Sequence, residues 1–204
     1  MSAVRQAGVS QATEIKPSDV TDYWVEEVGP SGWYSVDDAV DAEIRARFQT
    51  AWQVARSGGL QHWKCGPDRS LAYLILTDQF PRNMFREEGR SFATDGIARG
   101  AALRAIKQGW DTRVPEPQRQ FFYLPLMHSE VLEDQERGLR LILTRMPQTG
   151  GSNLLHARAH REVIRRYGRF PHRNSALGRT STPSEATFLE KGGYGGVVRE
   201  LDAA

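Results

Sequence analysis

Leu71-Ala72-Tyr73-Leu74-Ile75-Leu76-Thr77-Asp78-Gln79-Phe80-Pro81-Arg82-Asn83 is the stretch whose reading decides the fold. Its first six residues are all apolar, so a helix here is hydrophobic on nearly every side and must be central and buried. The spacing predicts that helix from about Arg69 to Gln79. Phe80-Pro81 should end it, because proline fixes its own φ and pushes the preceding residue out of the helical region.

The flanking chain reads as helices able to surround this one. Ser18 and Asp19 open a short helix through Tyr23, Trp24 and Val28, broken by Gly29-Pro30-Ser31-Gly32. Ser35 with Asp38 reads as a capping box. The helix it starts carries Val36, Val40, Ile44, Phe48, Ala51, Trp52 and Ala55 at helical spacing, and Ser57-Gly58-Gly59 ends it. Further helices are predicted over about Asp95–Gln108, Ser129–Arg145 and Ser152–Tyr167, the last ended by Gly168. Phe121 to Met127 reads as a helix stopped by a proline turn at Pro125. Thr182-Pro183-Ser184-Glu185 combines a cap, a proline at the first helical position and a glutamate at the third. No segment alternates apolar and polar residues with turn punctuation, so no sheet is expected. The expected organisation is a flexible segment over 1–16, one all-α domain over 17–191, and a flexible tail over 192–204 containing Gly192, Gly193, Gly195 and Gly196.

At 204 residues the chain can bury a real core as one domain. It has no apolar run of membrane-spanning length and no charged-then-apolar leader pattern. Cys65 is the single cysteine, so no internal disulfide is possible and a cytoplasmic location is the default. The net charge of +2 conceals a strong local asymmetry. Between Ser152 and Arg179 stand Arg158, Arg161, Arg165, Arg166, Arg169, Arg173 and Arg179, with His156, His160 and His172, against Glu162 alone. Acids elsewhere in the fold, an anionic ligand or water must answer them. The near-balanced total and the lack of interleaved aromatics argue against nucleic acid.

Phe170-Pro171-His172-Arg173-Asn174 nearly repeats Phe80-Pro81-Arg82-Asn83. Each phrase sets an Arg fork and an Asn amide behind a rigid turn, a combination suited to carboxylate or phosphate. The two lie 90 positions apart, with no repeat period joining them. Asp78, placed at a predicted helix C-terminus, meets the negative end of the dipole and calls for a cation such as Arg82 or Arg86. His128 follows a proline turn at a helix start, where Asp78 or Glu130 could orient it as a general base. His156 and His160, four apart on one face, have spacing that would allow two metal ligands, with His128, Asp78 or Glu130 as a third. No zincin glutamate follows the first histidine, and there is no phosphate loop, dinucleotide fingerprint or nucleophile elbow. Neither a metal nor an organic cofactor is assigned.

Several of these motifs together resemble an uncharacterised bacterial family, the domain of unknown function numbered nine-two-four. They are Asp78-Gln79-Phe80-Pro81-Arg82-Asn83, Phe92-Ala93-Thr94-Asp95, Phe121-Phe122-Tyr123-Leu124-Pro125 with His128-Ser129-Glu130, and Gly168-Arg169-Phe170-Pro171-His172-Arg173-Asn174. The resemblance covers about residues 20–190. It implies an all-α fold similar to a TPR-like superhelix of seven to nine helices, and no established reaction.

Two functions are compatible with these residues. The first is a pocket for a small anionic or polar molecule, with acid–base or hydrolytic chemistry. In it His128, with Asp78 or Glu130, moves a proton, and Arg82 and Arg173 hold the anion, helped by Arg169 or His172. Asn83 and Asn174 orient the ligand, and Tyr73, Phe122 and Tyr123 line the wall. The second is a TPR-like module that binds a peptide or protein partner, with the Arg–carboxylate motifs purely structural. Oligomeric state is not legible in the chain.

Overall fold

The computed structural model describes residues 15–203, so the segment expected to be flexible lies, over 1–14, outside the described residues. The protein is all-α, with no strand among the described residues. Helix α1 is Pro17–Thr21 and runs on as a π-helical stretch, Asp22–Val28, that stops at Gly29, whose φ is +66°. Then come α2 (Asp38–Arg56), α3 (residues 67–84), α4 (Asp95–Lys107), α5 (Leu124–Met127), α6 (Leu132–Arg145), α7 (Gly151–Tyr167), α8 (Pro183–Glu190) and α9 (Gly193–Asp202).

Helix α3 is the central one, as its composition requires. Every residue from Ser70 to Pro81 is buried, and α1, α2 and α4 pack around it. Phe80 meets Tyr23, Trp24 and Phe48 in one aromatic cluster, with ring centroids 4.8–6.3 Å apart. A smaller apolar cluster of Val163, Ile164, Phe170, Phe188 and Val197 joins α7, α8 and α9.

Phe80-Pro81 does not end α3, contrary to the sequence expectation. The α-helical turns Pro67–Leu74 pass into a π-helical segment, Ile75–Gln79, and then into a second α-helical segment, Phe80–Met84. Proline removes one N–H donor and crowds the carbonyl four residues earlier. Here the π-turn widens the helix at that point, and side chains satisfy the released carbonyls. Thr94 Oγ1 donates to the Thr77 oxygen at 2.6 Å, and Arg82 Nη1 donates to the Asp78 oxygen at 2.8 Å.

Three other local expectations are corrected. Asp37, not Ser35, caps α2, accepting from the Ala39 and Val40 amides at 2.8 and 3.2 Å, and Val36 is exposed. Pro125 lies in the first turn of α5, where its missing N–H costs nothing, and so starts that helix instead of stopping one. The glycine-rich tail is helical: Tyr194, Val197, Val198 and Leu201 fall at helical spacing and pack against the smaller cluster. Amphipathic periodicity outweighs the low helix propensity of its glycines.

Candidate functional site

The π-helical turn of α3 delivers the carboxylate of Asp78 into the interior, where it is fully buried. His128, at the C-terminal end of α5, places Nδ1 2.9 Å from Asp78 Oδ1 and 3.0 Å from Oδ2. Gln79 Nε2 donates to the same carboxylate at 2.5 Å, and Arg82 Nη2 stands 3.6 Å away. Burial pushes Asp78 upward, but His128 and Arg82 outweigh it and hold the carboxyl at about 2. Burial and Arg82 lower the pKa of His128 against the opposing pull of Asp78. At neutral pH the imidazole is therefore neutral. The carboxylate takes the Nδ1 hydrogen and leaves Nε2 as a bare acceptor without a partner among the described residues.

The second Phe-Pro corner behaves differently from the first. It follows the end of α7 at Gly168, whose φ is +68°, and forms a short 3-10 turn, Pro171–Arg173. That turn drives Arg173 inward until it is 6% exposed. Its guanidinium lies between the rings of Phe92 and Phe170, 4.6 and 4.4 Å from their centroids. Arg173 Nη1 donates to Asp95 Oδ2 at 3.2 Å, and Arg82 Nη2 donates to Asp95 Oδ1 at 3.0 Å. The two corners thus meet on one carboxylate, that of Asp95 at the start of α4. Arg173 Nε remains buried without a partner among the described residues. Burial, reinforced by Arg82, lowers the Arg173 pKa to about 10.

His128 borders three cavities. One, of about 370 Å³, has apolar walls from Leu124, Met127 and the rings of Tyr34 and Tyr194, with His156 and His160 facing His128. A second, of about 300 Å³, runs past Phe92, Asp95, Ser129, Glu130 and Arg173. A third, of about 220 Å³, is lined by Gln79, Arg82, Asn83 and Arg86.

Other residues singled out in the sequence serve as internal clasps. Asn83 Nδ2 donates to Asp41 at 2.8 Å, and Arg86 closes on the same carboxylate. Glu130 accepts from Arg179 at 2.8 and 3.0 Å and from the Phe170 amide at 2.8 Å, so its oxygens are engaged in holding the second corner. Arg169 pairs with Glu185 at 2.6 and 2.8 Å. Asn174 donates to Ser181 at 3.0 Å. His172 is exposed beside Phe170. Tyr123 does not line the site: it is buried and donates to Asp111 at 2.7 Å. His156 and His160 keep their shared face, but their Nδ1 atoms are 2.6 Å from Tyr194 Oη and 2.9 Å from the His156 carbonyl oxygen. Among the described residues no three His, Cys, Asp or Glu side chains converge to hold a metal ion.

Sequence reasoning gave no site role to Asp95, Phe92, Tyr34 or Tyr194. A first-turn acid and a tyrosine in a glycine-rich run have other common explanations, and only their convergence marks them.

A family model described as bacterial protein of unknown function (DUF924) matches residues 20–193. The chain belongs to this family. The DUF924 match takes in both Phe-Pro corners, the Asp78–His128 pair and all the helices up to the start of α9. A solved structure of a protein of unknown function from Agrobacterium tumefaciens is 42% identical to this DUF924 chain. The similarity covers 86% of this chain and 97% of that one, with a TM-score of 0.80. No curated protein matches the chain.

Proposed function

We propose that this protein binds a small polar or anionic molecule around His128 and performs acid–base chemistry on it, hydrolysis being one candidate reaction. The observation that carries this reading is the Asp78–His128 pair. A buried carboxylate fixes the tautomer of a neutral imidazole whose other nitrogen has no partner among the described residues, and that imidazole borders three cavities. A general base needs an unprotonated acceptor within reach of the substrate, which this nitrogen supplies. Arg173 supports a binding role for an anionic group, because its buried guanidinium is only partly engaged by Asp95. Asp78 and His128 are the candidate proton-moving residues, and Arg82 is their electrostatic partner. Glu130, Arg169, Asn83 and Asn174 serve as structural clasps in this reading.

A thermal-shift screen of polar and anionic metabolites tests it, since a ligand present at 100 times its Kd stabilises the fold by about 2.7 kcal/mol. Hits should be carried into turnover assays with wild-type protein and His128→Ala. The expected result is a ligand whose conversion falls about 10²–10⁴-fold in the variant while its fold is retained. Unchanged turnover in folded His128→Ala would overturn the reading.

A further inference from the structure

The 370 Å³ cavity beside His128 has a wall without formal charge. Among the described residues no Arg, Lys, Asp or Glu lines it, and its ionisable groups are three imidazoles and two phenols. The internal hydrogen bonds assign their protons. His160 Nδ1 lies 2.9 Å from the His156 carbonyl oxygen, which can only accept, so Nδ1 carries the hydrogen and Nε2 is bare. His128 is fixed in the same tautomer by Asp78. Tyr194 Oη lies 3.4 Å from His160 Nδ1 and 2.6 Å from His156 Nδ1. The His160 Nδ1 hydrogen is engaged by the His156 carbonyl, and Tyr194 Oη and His156 Nδ1 share one hydrogen between them. Burial disfavours protonation of all three rings, most strongly that of His160. The wall therefore offers two neutral imidazole acceptors, on rings whose centroids are 6.2 Å apart, beside the uncharged Ser152 hydroxyl and Asn153 amide.

We infer that this cavity takes an uncharged molecule that donates hydrogen bonds, through hydroxyl or amide N–H groups, to Nε2 of His128 and of His160. The inference rests on the reading of the His128 cavity as a ligand site. An anion placed here would face two lone pairs with no cation on the wall. A cation would lose its hydration with no carboxylate on the wall to replace it. A purely apolar guest would leave two acceptors dry, at about 1–3 kcal/mol each. An anionic group on the same molecule belongs on the far side of His128, in the cavity that holds Arg173.

The test uses the full chain at pH 7.5 and one-ring probes matched in size: benzamide, benzyl alcohol, benzoate, benzylamine and toluene. Ligand-observed NMR gives the affinities, and long-range ¹H–¹⁵N spectra of the imidazoles give the tautomers. Benzamide and benzyl alcohol should bind at least about tenfold more tightly than the other three. They should also move the Nε2 signals of His128 and His160, both present as Nδ1–H tautomers. His160→Ala should weaken benzamide about tenfold. If that variant fails to fold, the wild-type tautomers decide. Benzoate or benzylamine binding as tightly as benzamide and weakened equally by His160→Ala would overturn the inference, as would failure of both neutral donors to bind or an Nε2–H tautomer at His160. Turnover plays no part in these measurements. Loss of the acid–base reading therefore leaves the ligand class standing, and preference for benzoate removes the ligand class while leaving the dyad intact.

Discussion

Thr94 Oγ1 stands 2.6 Å from the carbonyl oxygen of Thr77, the acceptor that Pro81 leaves without its helical N–H partner. One hydroxyl thereby allows a proline to sit inside the central helix and lets the π-turn hold Asp78 at its buried depth. The same hydroxyl accepts from Trp52 Nε1 at 3.0 Å. Thr94→Val keeps the shape and removes both bonds. Each buried group left unpaired costs roughly 1–3 kcal/mol, so urea denaturation should show a loss of about 2–6 kcal/mol, with Thr94→Ser largely restoring stability. A valine variant within about 0.5 kcal/mol of wild type would contradict this account of the helix.

Acid should destabilise the fold in two stages. His128 and His160 have folded pKa values depressed from the ordinary 6.5. The unfolded chain therefore binds more protons, and their contribution is complete above pH 6.5 and lost as pH falls below it. Between pH 6.5 and 5 each contributes at most about 2 kcal/mol. Asp78, held at about 2 against an ordinary 3.8, contributes above pH 3.8 and loses its contribution as pH approaches 2. Chemical denaturation from pH 7 to 5 should show falling stability, with a shallower slope in His160→Gln. An equal slope in that variant would count against the neutral assignment of His160.

Arg82 and Arg173 share Asp95 but should respond differently to removal. Arg82 also satisfies the carbonyls of Asp78 and Ser91 and faces the buried Asp78 carboxylate. Arg82→Met should cost about 3–5 kcal/mol, because it strands a buried charge. Arg173 makes one hydrogen bond and is otherwise packed between two rings. Arg173→Met, which preserves that packing, should cost within about 1 kcal/mol. Equal losses in thermal or urea unfolding would show that Arg173 is as structural as Arg82.

Gly195 lies in the first turn of α9 with an ordinary helical φ, and a Cβ there would meet only Arg199 Nη1 at 3.5 Å. Gly195→Ala should stabilise the protein by about 0.5–1 kcal/mol. Slower hydrogen exchange confined to α9 would locate the gain, and a destabilised variant would mean that the helix is not formed as described.

The composition of Leu71 to Leu76 was enough to make α3 central, because a helix apolar on every side has no stable place at a surface. Periodicity and caps were enough for α4, α7 and α8, where one local signal faced no competitor. Local signals failed where a distant partner reverses their meaning. Pro81 breaks a helix unless a hydroxyl from residue 94 takes up the orphaned carbonyl. Glycines 192–196 predict flexibility unless Tyr194 and Val197 find an apolar cluster to cover. The two Phe-Pro phrases are alike in spelling and unlike in backbone, one within a helix and one in a 3-10 turn beyond another. Spelling alone carried the types of residue at the candidate site: an imidazole, buried acids and Arg forks. Only the tertiary structure selected Asp78 over Glu130 as the partner of His128, brought Arg82 and Arg173 together on Asp95, and removed Tyr123 to the core. Those choices depend on contacts between residues 12 to 78 positions apart, and no local interaction encodes them.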